Sequence, residues 1–382
     1  VDYSHIFGAH ALKAFAGFRY NYFSYDSDAI STQYTSRQDD KNPHIDANSS
    51  NINTSGGDND KWKQMQWYGN VDYNYMNRYF LTLSLLGEAN SRFGENCDGL
   101  DVFGVKWEIY PSVQAGWVAT NEKWFPKNMG INYLRINAGY DISGNDDIAN
   151  NASRTVYAMT KFNGFPGVQM VNVGNDKIHS EKTHKFNVGF QSYLLHNRVG
   201  VSFDYYIHKT TDLLTIKTFE SPIAGINRYW TNGGELKNTG FEAMVTVKPV
   251  VTKNWNVELG ASVGHYKNEV TKLPDGDYTS SIYGRDNILT SVGNPVAMFY
   301  GYKTDGVFAT DADAKAAGDD GYLYMLDNTN AKHYFKAGDM RFVDKDGNGI
   351  IDDNDRFIIG DPNPDIYGNI FATVNWKNFT LS

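Results

Sequence analysis

Apolar and polar residues alternate along this chain with a period of two. In Arg198–His208, Val199, Val201, Phe203, Tyr205 and Ile207 take every second place, and Gly200, Ser202, Asp204, Tyr206 and His208 fill the others. Successive side chains of a strand point to opposite faces, so this segment predicts a strand with one apolar and one polar face. Trp255–Tyr266 repeats the pattern, with Trp255, Val257, Leu259, Ala261 and Val263 against Asn256, Glu258, Gly260, Ser262 and Gly264. Tyr79–Leu85, Leu134–Tyr140, Phe186–Leu194 and Phe241–Val247 follow the same rule, and a helical period is hard to find.

The predicted strands are joined in two ways. Short joints fall at His5–Ala9, Tyr75–Arg78, Leu195–Asn197, Val251–Asn254 and Trp376–Asn378. Long polar connections run over 26–62, 93–103, 143–180, 214–237 and 268–365, with an intermediate joint at 121–131. Short joints alternating with long ones put every long connection at one end of an antiparallel meander. Together with the polar strand face, this predicts an all-β fold: an up-and-down transmembrane β-barrel with short periplasmic turns and long extracellular loops, of which about eleven or twelve strands lie in this chain. Several segments reach ten or more residues, enough to cross a bilayer at a tilt, whereas sandwich strands average about 5–6.

Two details sharpen this expectation. Tyr75, Tyr79, Phe80, Trp124, Phe125, Trp255, Trp376 and Phe379 gather near the short joints, where an interfacial aromatic girdle sits. Asp204, Glu242 and Glu258 fall mid-strand on the polar face, tolerable beside a water-filled lumen and costly in a dry core. Both ends of the chain read as strand interior, and an open edge is forbidden in lipid, so the chain is expected to be part of a larger barrel.

Composition adds limits. Aromatic residues make up 15% of the chain, and they suit pleated, half-buried surfaces. The formal net charge of −9 and the lack of a basic cluster with interleaved aromatics argue against a nucleic-acid partner. Cys97 is the only cysteine, which excludes an intrachain disulfide and a cysteine metal site. No apolar run approaches the length of a membrane helix, which leaves the barrel as the spanning solution.

The chemistry concentrates in DKDGNGIIDDND, Asp344–Asp355. Asp344, Asp346 and Asn348 occupy positions 1, 3 and 5 of a calcium loop, with Gly349 at the sharp turn. Ile350 offers its backbone carbonyl at 7, Asp352 sits at 9, and Asp355 closes the loop at 12. The loop predicts a structural Ca²⁺ that staples the 268–365 connection. No helical pattern flanks it, so a switch of the EF-hand kind is not expected. Tyr229, Trp230, Tyr283, Tyr300 and Tyr302 are candidate substrate contacts that could stack on sugar rings, although packing of the loops accounts for any single one more readily. The histidines lack metal-site spacing, no GxSxG elbow occurs, and no catalytic residue is expected.

Six ordered segments carry a family resemblance: LTLSLLGEANSRFG (Leu81–Gly94), WEIYPSVQAGWVATNEKWF (Trp107–Phe125), LRINAGYDISGNDDI (Leu134–Ile148), GGELKNTGFEAMV (Gly233–Val245), GNPVAMFYGYKTDGVFAT (Gly293–Thr310) and GDMRFVDKDGNGIIDDNDRFIIGDPNPDIYGNI (Gly338–Ile370). They resemble SusC/RagA-type TonB-dependent transporters of the Bacteroidota. The resemblance implies a barrel of about 22 strands in the outer membrane, with residues 1–382 in roughly its second half. It further implies a plug and a TonB-contacting region upstream, a SusD-like surface lipoprotein as partner, and import of oligosaccharides or peptides. The alternatives from other classes are a calcium-stabilised surface protein that binds glycans and a β-rich glycan-cleaving enzyme.

Overall fold

The structure is a computed structural model that describes residues 1–33, 52–162, 165–223, 226–282, 285–315, 323–326 and 329–382. Twelve strands form one continuous antiparallel ladder, each paired with the next in chain order. They are β1 (Asp2–Phe7), β2 (His10–Gln33), β3 (Ile52–Tyr75), β4 (Tyr79–Asn90), β5 (Val105–Val118), β6 (Ile131–Asn145), β7 (Glu181–Leu194), β8 (Val199–Thr211), β9 (Glu235–Val251), β10 (Trp255–Lys272), β11 (Tyr367–Trp376) and β12 (Phe379–Leu381). Sequential neighbours joined alternately by short turns and long connections make an up-and-down meander, and the long connections all leave the same end.

The registers carry the predicted faces across the sheet. Phe203 lies opposite Phe190 on β7 and Ala243 on β9, and Val263 on β10 lies opposite Ala243. A one-residue slip would reverse every face, so the shared apolar side pins the register. Phe190, Phe203 and Phe241 stack along it with centroids 6.2 and 6.0 Å apart. That side is not covered. Leu85 is 53% exposed and Leu259 46%, although both sit mid-strand. A water-soluble sheet would bury such a face against a second layer; here it is the wall presented to lipid. Among the described residues no helix is long and apolar enough to cross a membrane.

Buried apolar clusters lie in the long connections instead. One gathers Ile148, Ala152 and Ile178 with Phe93, Leu214 and Trp230 packed against it. The other gathers Phe308, Ala314, Leu323 and Ile351 with Tyr302, Met325, Phe335 and Phe342 around it.

Three expectations need correction. The first long connection was placed at 26–62, yet β2 and β3 stay paired to Gln33 and Ile52. Each has 24 residues, so the hairpin reaches about 80 Å at 3.3–3.4 Å per residue, well beyond a bilayer. Alternation ends where both faces become polar, but ladder hydrogen bonding continues. The other long connections also carry paired elements, such as the hairpins Val156–Phe162 with Phe165–Asn172 and Leu214–Ile223 with Ile226–Asn232. The last begins after Lys272 rather than at 268. Finally, Phe80 does not join the girdle. It follows outward-facing Tyr79, so it points to the polar side, where the Arg135 guanidinium lies 5.0 Å from its ring centre. Tyr75 and Tyr79 do stack, as do Trp376 and Phe379, with Trp255 5.8 Å from Trp376.

Candidate functional site

The polar face forms a network aimed at the lumen. On β8 and β9, Asp204 stands directly opposite Glu242. Like charges facing each other across strands repel, so this pair needs water or a cationic guest. Tyr367 on β11 reaches across to donate to Glu242 Oε1 at 2.9 Å. Its ring crosses Gly264, where a Cβ would come within 2.4 Å of Tyr367 Cζ, so the reach requires glycine there. Together with Tyr206, His208 and Tyr266 these groups border a cavity of about 600 Å³. The alternation alone put Asp204 and Glu242 on the polar face; that they meet was hidden, because period two does not specify which strand positions face each other.

A second network fastens the loops to the wall. Glu108 on β5 is buried and accepts from Tyr110 Oη at 2.9 Å and from the Ser180 amide at 3.3 Å. Tyr110 and Ser180 share a further bond at 2.7 Å. Arg92 holds Asp146 and Asn150 of the connection while its guanidinium lies 4.4 Å from the Trp62 ring centre. Nearby Cys97 is buried, and desolvation first, then the Glu108 charge, raise its thiol above the ordinary range, which makes it unreactive. At the opposite end Glu122 accepts from Tyr79 and Trp117 and pairs with Arg78 at 3.4 Å, tying the 119–130 joint to the neighbouring turn. The Tyr79 bond is the largest cause of its lowered carboxyl pKa, followed by the Trp117 bond.

The Asp344–Asp355 segment folds as a tight loop. Carboxylate oxygens of Asp344, Asp346 and Asp355 lie within 4.8 Å of one another. Gly347 and Gly349 adopt positive φ of 73° and 81°, which the winding of the loop requires. Their amides donate to Asp344 at 2.7 and 2.8 Å, and the Ile350 amide donates to Asn348 Oδ1 at 2.7 Å. Asp355 is fully buried and, among the described residues, receives only the amides of Lys345 and Asp352, at 2.7 and 2.9 Å. A buried carboxylate without a cationic side chain calls for a cation, and this donor set is all hard oxygen. Asp352 is placed differently from its neighbours: its side chain caps the short turn Asp353–Asp355 by accepting from the Asn354 amide at 2.8 Å. The chain then pairs Ile350–Ile351 in parallel with Tyr324–Met325, which seats Ile351 in its apolar cluster.

The candidate aromatic contacts divide between two places. Tyr300 and Tyr302 share one face of the strand Met298–Tyr302, and the Arg356 guanidinium lies 6.0 and 5.7 Å from their ring centres. Arg356 directly follows Asp355, so the calcium-type loop and this aromatic pair are one assembly. Trp230 packs instead against the Ile178 cluster and Tyr229 lies beside it on the Ile226–Asn232 strand. Tyr283 lies outside the described residues.

Comparison with known proteins places this geometry. The family described as TonB dependent receptor-like, beta-barrel matches residues 2–357. A TonB-dependent receptor of Formosa agariphila is 29% identical over 362 residues, covering 87% of this chain and 33% of that protein. The TonB-dependent receptor SusC of Bacteroides thetaiotaomicron is 26% identical over 331 residues, covering 83% of this chain and 30% of that protein. The chain thus spans about a third of the length of the curated relatives it matches. Among solved structures, the RagAB peptide importer in its closed-closed state superposes with a TM-score of 0.70 at 21% identity, over 99% of this chain and 39% of that one. That likeness is one of fold.

Proposed function

We propose that this chain, which belongs to the TonB-dependent receptor-like β-barrel family and lies in the cell outer membrane, forms part of the wall of a SusC/RagA-type importer. One observation carries the reading: the same strands expose an uncovered apolar face on one side and a connected polar network on the other. A wall between lipid and a water-filled path needs that division, whereas a surface glycan-binding β-protein would bury its apolar face. In this reading the short turns face the periplasm and the long connections face outward. Oligosaccharides or peptides bind among those loops and pass along the polar face. No covalent step is involved, so neither a catalytic residue nor enzyme activity is assigned.

The partners follow from the family. A SusD-like lipoprotein caps the outer mouth, and TonB supplies the energy. Asp344, Asp346, Asn348, Ile350, Asp352 and Asp355 hold a structural Ca²⁺ that staples the outward assembly. When bound, the ion neutralises the clustered carboxylates; Gly347 and Gly349 shape the loop around them. Through Arg356 this order extends to Tyr300 and Tyr302, which with Tyr229, Trp230 and Tyr283 are the proposed substrate contacts.

The test is uptake. Deleting the gene in its host should abolish growth on one class of oligosaccharide or peptide and leave simple sugars usable. Unchanged growth on every such substrate, together with recovery of the chain in buffer without detergent, would overturn the proposal.

A further inference from the structure

The connection between β4 and β5 contains a small hairpin in which Leu100–Val102 pairs with Val105–Trp107. Its turn residues, Phe103 and Gly104, both have positive φ, 55° and 76°, as a type I′ hairpin turn requires. Glycine meets that demand without strain, but a bulky aromatic residue rarely does. Phe103 is also 101% exposed. A strained, fully exposed phenyl group contributes nothing to folding in water. Leu100, Val102, Val105 and Trp107 share the apolar face of the hairpin, while Asp101 and Lys106 pair on the other at 3.3 Å.

This apolar face continues the lipid-facing wall. Leu100, Val102 and Trp107 border a groove of about 850 Å³ that descends the outer side of β2–β5 past Trp67 and Ile109. Gly69 and Gly87 lie in its floor. A Cβ at Gly87 would find Ile109 Cδ1 at 3.5 Å and Trp107 Cε3 at 3.8 Å, and one at Gly69 would find only the Phe15 carbonyl oxygen, at 3.5 Å. A Cβ would therefore meet only ordinary contacts at both glycines, Gly87 lying buried beneath Ile109 and Trp107. Beyond Trp67, toward the long connections, Lys61 and Lys63 lie exposed on the outward face of β3, and among the described residues no carboxylate pairs with either.

We propose that this groove binds an anionic lipid, one acyl chain lying over Gly69 and Gly87 beneath the Leu100–Trp107 hairpin and its phosphorylated headgroup meeting Lys61 and Lys63. Continuity with the bilayer-facing wall identifies the occupant as a membrane lipid, and the two lysines select negative charge at headgroup depth. Phe103 enters the acyl region as an anchor, which gives its exposure a use. The assignment to the outer leaflet rests on the reading that the long connections face outward.

The test uses the intact receptor extracted in mild detergent, with native mass spectrometry counting retained phosphorylated lipid. Gly87→Leu places a side chain in the groove, with its Cβ at ordinary contact distance from Ile109 and Trp107. Displacing even two methylene contacts should lower retention about tenfold. Lys61→Gln/Lys63→Gln should lower it without touching the groove, and Phe103→Ser should weaken it while relieving the turn. Equal retention in wild type and all three variants overturns the proposal. Orientation is read separately by Glu95→Cys in the same connection, since Cys97 is buried. Labelling of intact cells by an impermeant maleimide places the hairpin outside. Lipid retention without such labelling keeps the groove, moves it to the inner leaflet and overturns the outer-leaflet assignment.

Discussion

The strand wall and the loop assembly solve opposite problems with the same residue types. On the wall, Leu85 and Leu259 remain half exposed, because their solvent is lipid. In the loops, Ile178 and Ile351 are almost wholly buried, because theirs is water. Polar groups invert in the same way. The wall concentrates carboxylates such as Asp204 and Glu242 on an open lumenal face, whereas the loops bury Asp355. Burial of an apolar side chain is therefore informative only once its solvent is known: the exposed leucines of the wall are as satisfied as the buried isoleucines of the loops.

The contrast can be broken most strongly in the loop core. Phe308→Ala removes a buried ring from the Ile351 cluster and should cost that assembly about 3–5 kcal/mol. Hydrogen exchange should show residues 298–360 opening while β4–β9 keep their protection; equal loss in both would mean that the two regions fold as one unit. Next come adjacent positions on β5. Val113→Arg puts a charge on the lipid face and should destabilise the intact receptor by about 2–4 kcal/mol in denaturant titration in bilayers. Gln114→Arg on the lumenal face should stay within about 0.5 kcal/mol. Similar costs at both would refute the face assignment.

Calcium should matter to the loops alone. With the ion at a hundred times its dissociation constant, binding adds about 2.7 kcal/mol to the assembly it holds. Chelation should therefore speed proteolysis within 298–360 of wild type, and Asp355→Asn should remove that dependence. Cleavage indifferent to calcium would leave the loop an acidic turn. The smallest effect belongs to Glu122. Its folded pKa is lowered, so its contribution is complete above the ordinary glutamate value of about 4.3 and disappears as pH falls through the folded value. Thermal unfolding should separate wild type from Glu122→Gln near neutral pH and bring the two together in acid. A gap that persists at low pH would assign the effect to shape rather than charge.

Period two made much of the wall legible, since each side chain's face follows from counting along one strand. Proximity to a turn misplaced Phe80 in the girdle, although parity had already sent it inward. The calcium-type loop was legible as spacing, and Asp344, Asp346 and Asp355 do converge. The role of Asp352 as a turn cap was not visible, since the same carboxylate at that position suits either task. The aromatic candidates were the least legible. Tyrosine in a loop signals neither a ligand nor a core, and only packing shows that Trp230 lies against Ile178 while Tyr300 and Tyr302 lie under Arg356.

Local repeat and donor spacing are properties of a few neighbouring residues, so sequence alone determined the bilayer-spanning parts of the strands, their two faces and the acidic loop. Everything that depends on register between distant segments awaited the tertiary structure. Asp204 and Glu242 are 38 residues apart, yet stand opposite because one hairpin register brings them together. The groove under Leu100–Trp107 likewise exists only because the registers of β2–β5 set Gly69 beside Leu85 and Gly87 beside Trp67 on one face. Pairing partners are chosen by the summed burial and hydrogen bonding of whole strands, and no single segment contains that sum.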